Sequence, residues 1–147
     1  MTLRIVQLGS PRQPGEGLRI GTVRRPPRGV PRSRYSSDDW YDVWLPELAP
    51  SAAAVKRALA AETPAEWKAF VKRYRTEMSQ PDKVRLLKLL AALSQHANLS
   101  VGCYCEDESR CHRSVLRESV AGEWGQAGVK HKEHEVPSVP SVSQSSI

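Results

Sequence analysis

Long apolar runs are missing from this chain of 147 residues. A helix that crosses a bilayer needs about 20 consecutive apolar residues, so an integral membrane protein is excluded. The opening stretch Met1–Gly9 holds too short an apolar segment for a secretory leader. Cysteine is scarce: there are three, an odd count that builds no disulfide framework. Reduced thiols and a cytoplasmic location are therefore expected. Acidic residues are nearly absent from one region. Residues 1–37 contain eight arginines, no lysine and a single acid, Glu16, for a net +7. The other 110 residues hold 14 basic and 15 acidic side chains, net −1, so the overall +6 belongs to one segment.

What is present fits a folded domain. Hydrophobic residues make up 39% and charged residues 26%, which argues against a wholly disordered chain. The length suits one domain, placed at residues 1–125. Residues 126–147, rich in Ser, Val and Pro without periodicity, are expected to form a disordered tail.

Residues 3–8 and 18–23 are short, β-branched and roughly alternating, and predict two strands with a Pro/Gly loop between them. From Arg24 to Tyr35 the prolines at 26, 27 and 31 predict a stiffened loop. Asp38–Leu48, with Trp40 and Trp44, predicts a short turn or helix beneath it. Three helices follow, at about 51–61, from Thr63, and at about 81–97. Thr63-Pro64-Ala65-Glu66 carries capping-box spacing with Pro at the first helical position. The third is apolar on most faces and is expected to be central. Leu99–Cys105 predicts a buried strand. Ser109 is placed to cap a helix from about Arg110 to Ala121, ended by Gly122. The order predicts an α/β fold: a small, mainly parallel sheet flanked by helices. Ligands bind such sheets beyond the carboxyl ends of the strands. If the strands before the Arg-rich loop and before the Cys103–Arg113 turn are neighbours, the two loops meet in one crevice.

Two groups carry candidate chemistry. Arg24, Arg25, Arg28, Arg32 and Arg34 fall within eleven residues, and the planar guanidinium fork suits phosphate. The competing reading pairs them with Asp38, Asp39, Asp42 and Glu47 downstream. Tyr35, Trp40, Tyr41 and Trp44 are read either as core or as a stacking surface for a base. The second group is Cys111-His112-Arg113 at a helix start, where free N–H groups favour an anion and a thiolate. Cys111 is expected to ionise most readily, since Cys105 borders Glu106, Asp107 and Glu108. In the bland alternative His112 and Cys111 are core residues. Cys105-x4-Arg110 matches a rhodanese-type loop in spacing, but its three acids would repel an anion. A zinc set of Cys103, Cys105, Cys111 and His112 has the right count. Adjacent Cys111 and His112 would diverge by about 100° around a helix, so no metal and no cofactor are expected.

Arg24-Arg25-Pro26-Pro27-Arg28-Gly29-Val30, Trp44–Ser51, and Phe70 with Tyr74 and Glu77 resemble the shorter branch of family 488 of the domains of unknown function. Val23 stands where that branch has Asp. Cys103 and Cys111-His112-Arg113 resemble the other branch. The resemblance covers most of residues 3–121 and implies an α/β fold with a shared site at His112, without specifying a reaction. The site expected from both lines has Arg24, Arg25, Arg28, Ser109 and Arg113 as anion-binding residues, and His112, Cys111 and Cys103 as catalytic candidates. The expected partner is a phosphate-bearing small molecule or a nucleic acid. A Cys/His-dependent enzyme acting on a small metabolite, or an interaction module with internally paired arginines, are the alternatives. Oligomeric state and substrate are left open.

Overall fold

The computed structural model describes residues 2–107 and 110–131. Four strands, β1 (Leu3–Gln7), β2 (Leu18–Gly21), β3 (Val43–Trp44) and β4 (Leu99–Cys103), form one sheet in the order β1-β4-β2-β3. Every pairing is parallel. Four helices, α1 (Ala52–Ala60), α2 (Pro64–Glu77), α3 (Pro81–Leu93) and α4 (His112–His131), complete a small α/β domain. β4 is buried along its whole length, as a central strand with neighbours on both sides must be. Among the described residues no helix is long and apolar enough to cross a membrane.

Helix starts follow local chemistry. Ser51 caps α1 by accepting the Ala54 N–H, and Thr63 caps α2 by accepting the Glu66 N–H. The Glu66 carboxylate reaches back one residue further than in a capping box, to the Glu62 N–H at 2.7 Å. α3 is not central. It buries Leu87, Leu90 and Ala91, while Leu89 and Leu93 face outward at 54% and 44% exposure. The segment read as a turn or short helix contains the two-residue edge strand β3, followed by a single 3-10 turn at Pro46–Leu48. α4 continues past Gly122 to His131. The expected tail lies outside the described residues from 132 onward, as does Ser109.

The two faces of the sheet are built differently. Ile20, Leu99 and Val101 pack with Phe70, Leu90 and Leu116 from the helices in the main core. On the opposite parity, Arg19, Gly21, Ser100 and Gly102 are covered by loops. Tyr41 lies over Gly21 and Leu8 over Gly102, so close that a Cβ at either glycine would sit 2.4 Å from the covering side chain. A second core of Leu8, Val23, Tyr41, Cys103 and Cys111 forms there, with Tyr35 and Trp40 against it. Trp44 braces the same region, its indole Nε1 donating to the Val23 carbonyl at 2.7 Å. The aromatic group is thus committed to packing and bracing.

Candidate functional site

β2 and β4 are neighbours and run parallel, so the segments leaving their carboxyl ends meet. They enclose a crevice of about 450 Å³ that contains both Arg24 and His112. One wall is apolar: Ala49, Val55, Ala58, Leu59, Trp67 and Phe70. Arg24, Arg25 and Arg110 lie around it, with Cys103, Cys105, Cys111 and His112 at its polar end.

The apolar wall is held by a clasp. The Tyr74 hydroxyl donates to the Leu48 carbonyl at 2.6 Å. The Glu77 carboxylate accepts both the Ser51 N–H and the Ser51 hydroxyl. Tyr74, Glu77 and the Trp44–Ser51 stretch therefore belong together because α2 ties down the segment that leads into α1.

The arginines separate into distinct populations. Arg34 pairs with Asp38 at 2.9 Å. Two of the other expected partners, Asp39 and Asp42, are taken by Arg12, at 3.3 and 2.8 Å, and Glu47 makes no ion pair among the described residues. Arg24, Arg25, Arg28 and Arg32 are exposed, and among the described residues none of the four makes an ion pair. Internal pairing therefore accounts for one arginine of the five. Arg28 does not line the crevice. Arg113 is turned inward: 3% exposed, it donates to the carbonyls of Val6, Cys103 and Glu106. It stitches the ends of β1 and β4 to the turn carrying Cys105, and takes no place in the crevice lining.

The polar end is compact. His112 is buried and sits 2.7 Å from the Thr22 carbonyl through Nε2. A carbonyl only accepts, so Nε2 carries the proton and Nδ1 presents a lone pair. Nδ1 lies 3.8 Å from Cys111 Sγ. Burial pushes His112 down to about 4, only partly offset by the Thr22 carbonyl, so the ring is neutral at pH 7. Cys103 Sγ donates to Cys105 Sγ at 3.5 Å. Hydrogen bonds from Cys103 and Cys111 hold the Cys105 thiol far below its usual range. The same contacts push Cys111 far up, and burial adds to this. The readily ionised thiol is thus Cys105, the exposed one, rather than Cys111. Cys111 stands just ahead of α4, which begins at His112; the Arg113 N–H at the helix start does lower its thiol, but the sulfur contacts and burial outweigh it. Because Cys111 precedes α4, the two side chains do not diverge around a helix. Nitrogen or sulfur atoms of Cys103, Cys111 and His112 all lie within 4.8 Å of one another.

Thr22, Trp67, Phe70 and Arg110 complete the site and were not among the expected site residues. Thr22 lies inside the strand reading at 18–23 and just past the end of β2, and its carbonyl is invisible to motif reading. The apolar wall reads in sequence as ordinary helical core.

The profile of DUF488-N3a, described as the active DUF488-N3 subclade, matches residues 3–123. The chain belongs to the DUF488 family. That span takes in all four strands and the whole crevice of this DUF488 domain. No curated protein and no solved structure matches it.

Proposed function

We propose that the crevice of this DUF488 domain binds a phosphate-bearing small molecule with a flat or apolar body, of the nucleotide class. The carrying observation is the meeting, in one crevice, of Arg24, Arg25 and Arg110 with the wall formed by Leu59, Trp67 and Phe70. None of these three arginines makes an ion pair among the described residues. A guanidinium fork recognises phosphate through paired charged hydrogen bonds, and an apolar wall favours a planar body such as a base. A volume of about 450 Å³ falls in the range of small-molecule sites. Membership of a subclade described as active supports a crevice in which the ligand is also processed, with the Cys103, Cys105, Cys111 and His112 end as the chemically competent part. Three free thiols gathered together support a reducing compartment such as the cytoplasm.

Calorimetric titration with matched nucleosides and nucleoside phosphates tests the reading. Phosphorylated members bind and unphosphorylated ones bind at least tenfold more weakly. Equal affinity for both members of each pair contradicts it.

A further inference from the structure

We infer that Cys103, Cys105, Cys111 and His112 form a zinc site at the polar end of the crevice. Three features of the chain lead there. The first is ligand count and type. Three sulfurs and one imidazole are a Cys3His set, which suits a borderline-soft divalent ion and disfavours magnesium or calcium. The second is spacing. With Zn–S near 2.3 Å and Zn–N near 2.0–2.1 Å, a tetrahedron has edges of about 3.6–3.8 Å. Cys103 Sγ to Cys105 Sγ is 3.5 Å and Cys111 Sγ to His112 Nδ1 is 3.8 Å. Cys103, Cys111 and His112 lie mutually within 4.8 Å, so small side-chain shifts close the shell.

The third is the imidazole's orientation. A ligating histidine commonly donates its distal N–H to a carbonyl or carboxylate, which fixes the tautomer and aims the other nitrogen at the metal. His112 Nε2 makes that bond to the Thr22 carbonyl at 2.7 Å, leaving Nδ1 on the side of the thiols. Arg113, by holding the carbonyls of Cys103 and Glu106, fixes the backbone on both sides of Cys105.

Cys103, Cys111 and His112 are buried and supply three positions; Cys105 is exposed and supplies the fourth, facing the crevice. Binding forms three S–Zn bonds, and each sulfur still protonated releases its proton to solvent, with no change in oxidation state. The site stands independently of the ligand proposed above.

The test is anaerobic titration of the reduced full-length chain with Co2+ and then Zn2+. The expected result is one ion per chain. It is accompanied by the intense visible bands of tetrahedral cobalt and by near-ultraviolet sulfur-to-cobalt charge transfer, both lost when zinc displaces cobalt. Zinc should also slow modification of all three thiols, and a chelator should lower the Tm of the zinc-loaded protein. C105S should keep binding with reduced charge transfer, whereas C111S should weaken binding at least a hundredfold. Weak cobalt binding without charge transfer, as histidines alone give, overturns the site. So does thiol reactivity unchanged by zinc, a reading from the unmutated protein that needs no variant to fold.

Discussion

Arg19 and Arg24 stand five residues apart, on either side of the end of β2, and do opposite things. Arg19 is fully buried on the loop-covered face. Its guanidinium meets both Glu16 oxygens, at 2.6 and 3.0 Å, and the carbonyls of Ser10 and Asp39. Glu16 also accepts from Ser100 Oγ on β4. Arg24 is exposed at the crevice and unpaired among the described residues. A buried charge must be satisfied or it destabilises the fold, and four of the five guanidinium N–H donors of Arg19 are spent on structure. An exposed arginine needs no partner and keeps its donors for a ligand. The difference lies in the partner: Glu16, in the loop just ahead of β2, reaches the Arg19 guanidinium, whereas no acid meets Arg24 among the described residues.

Breaking the buried member should have the largest effect. Glu16→Ala leaves the Arg19 charge stranded and should cost about 3–5 kcal/mol in urea-induced unfolding. Arg24→Ala should stay within about 0.5 kcal/mol of the parent. Equal losses would erase the distinction between the two.

The packing of the loop-covered face gives a second contrast. Gly102→Ala drives a methyl into Leu8 and should cost about 1–3 kcal/mol. Gly29→Ala has open space around its Cβ, so only its left-handed backbone, φ 71°, opposes the change, at roughly 1 kcal/mol. Thermal unfolding of both variants ranks them.

Acid titration sharpens the comparison. Burial alone would raise the Glu16 carboxyl. The Arg19 guanidinium, the Gln13 N–H and Ser100 more than offset it and hold the group below its usual range. A carboxyl whose pKa is lower in the folded state stabilises the fold above its unfolded value of about 4.3, and that stabilisation is lost as pH falls through the folded value. Asp42, buried in part but bonded to Arg12, Ser36 and the Arg19 N–H, acts in the same direction. Stability should therefore fall steeply below about pH 4. Glu16→Gln should flatten that slope, while Arg24→Ala should leave it unchanged. The smallest effect is expected at the exposed Arg34–Asp38 pair: Arg34→Ala should shift stability by less than about 0.5 kcal/mol.

The parallel sheet and the helix starts at Ser51 and Thr63 were legible because cap chemistry and hydrophobic period are local. So was the meeting of the two loops, which follows from β2 and β4 being neighbours. α3 misleads because Leu89 and Leu93 are apolar yet outward-facing. β3 escapes notice because two residues have no period. Arg113 could not be separated from Arg24 by sequence, since its partners are backbone carbonyls of Val6, Cys103 and Glu106 that no residue type announces. The thiol order is not legible in the sequence because it depends on sulfur-to-sulfur contacts formed only in the fold.

The most direct test of the account is the salt dependence of nucleoside-phosphate binding to the parent and to the Arg24→Ala/Arg25→Ala double variant, followed by calorimetry. Each charge-assisted contact contributes about 1.5–3 kcal/mol, and about 1.4 kcal/mol is tenfold in affinity. The double variant should therefore bind at least a hundredfold more weakly, with a shallower salt response and an unchanged Tm. Unchanged affinity and salt slope in a folded double variant would contradict the assignment of phosphate recognition to the exposed arginines.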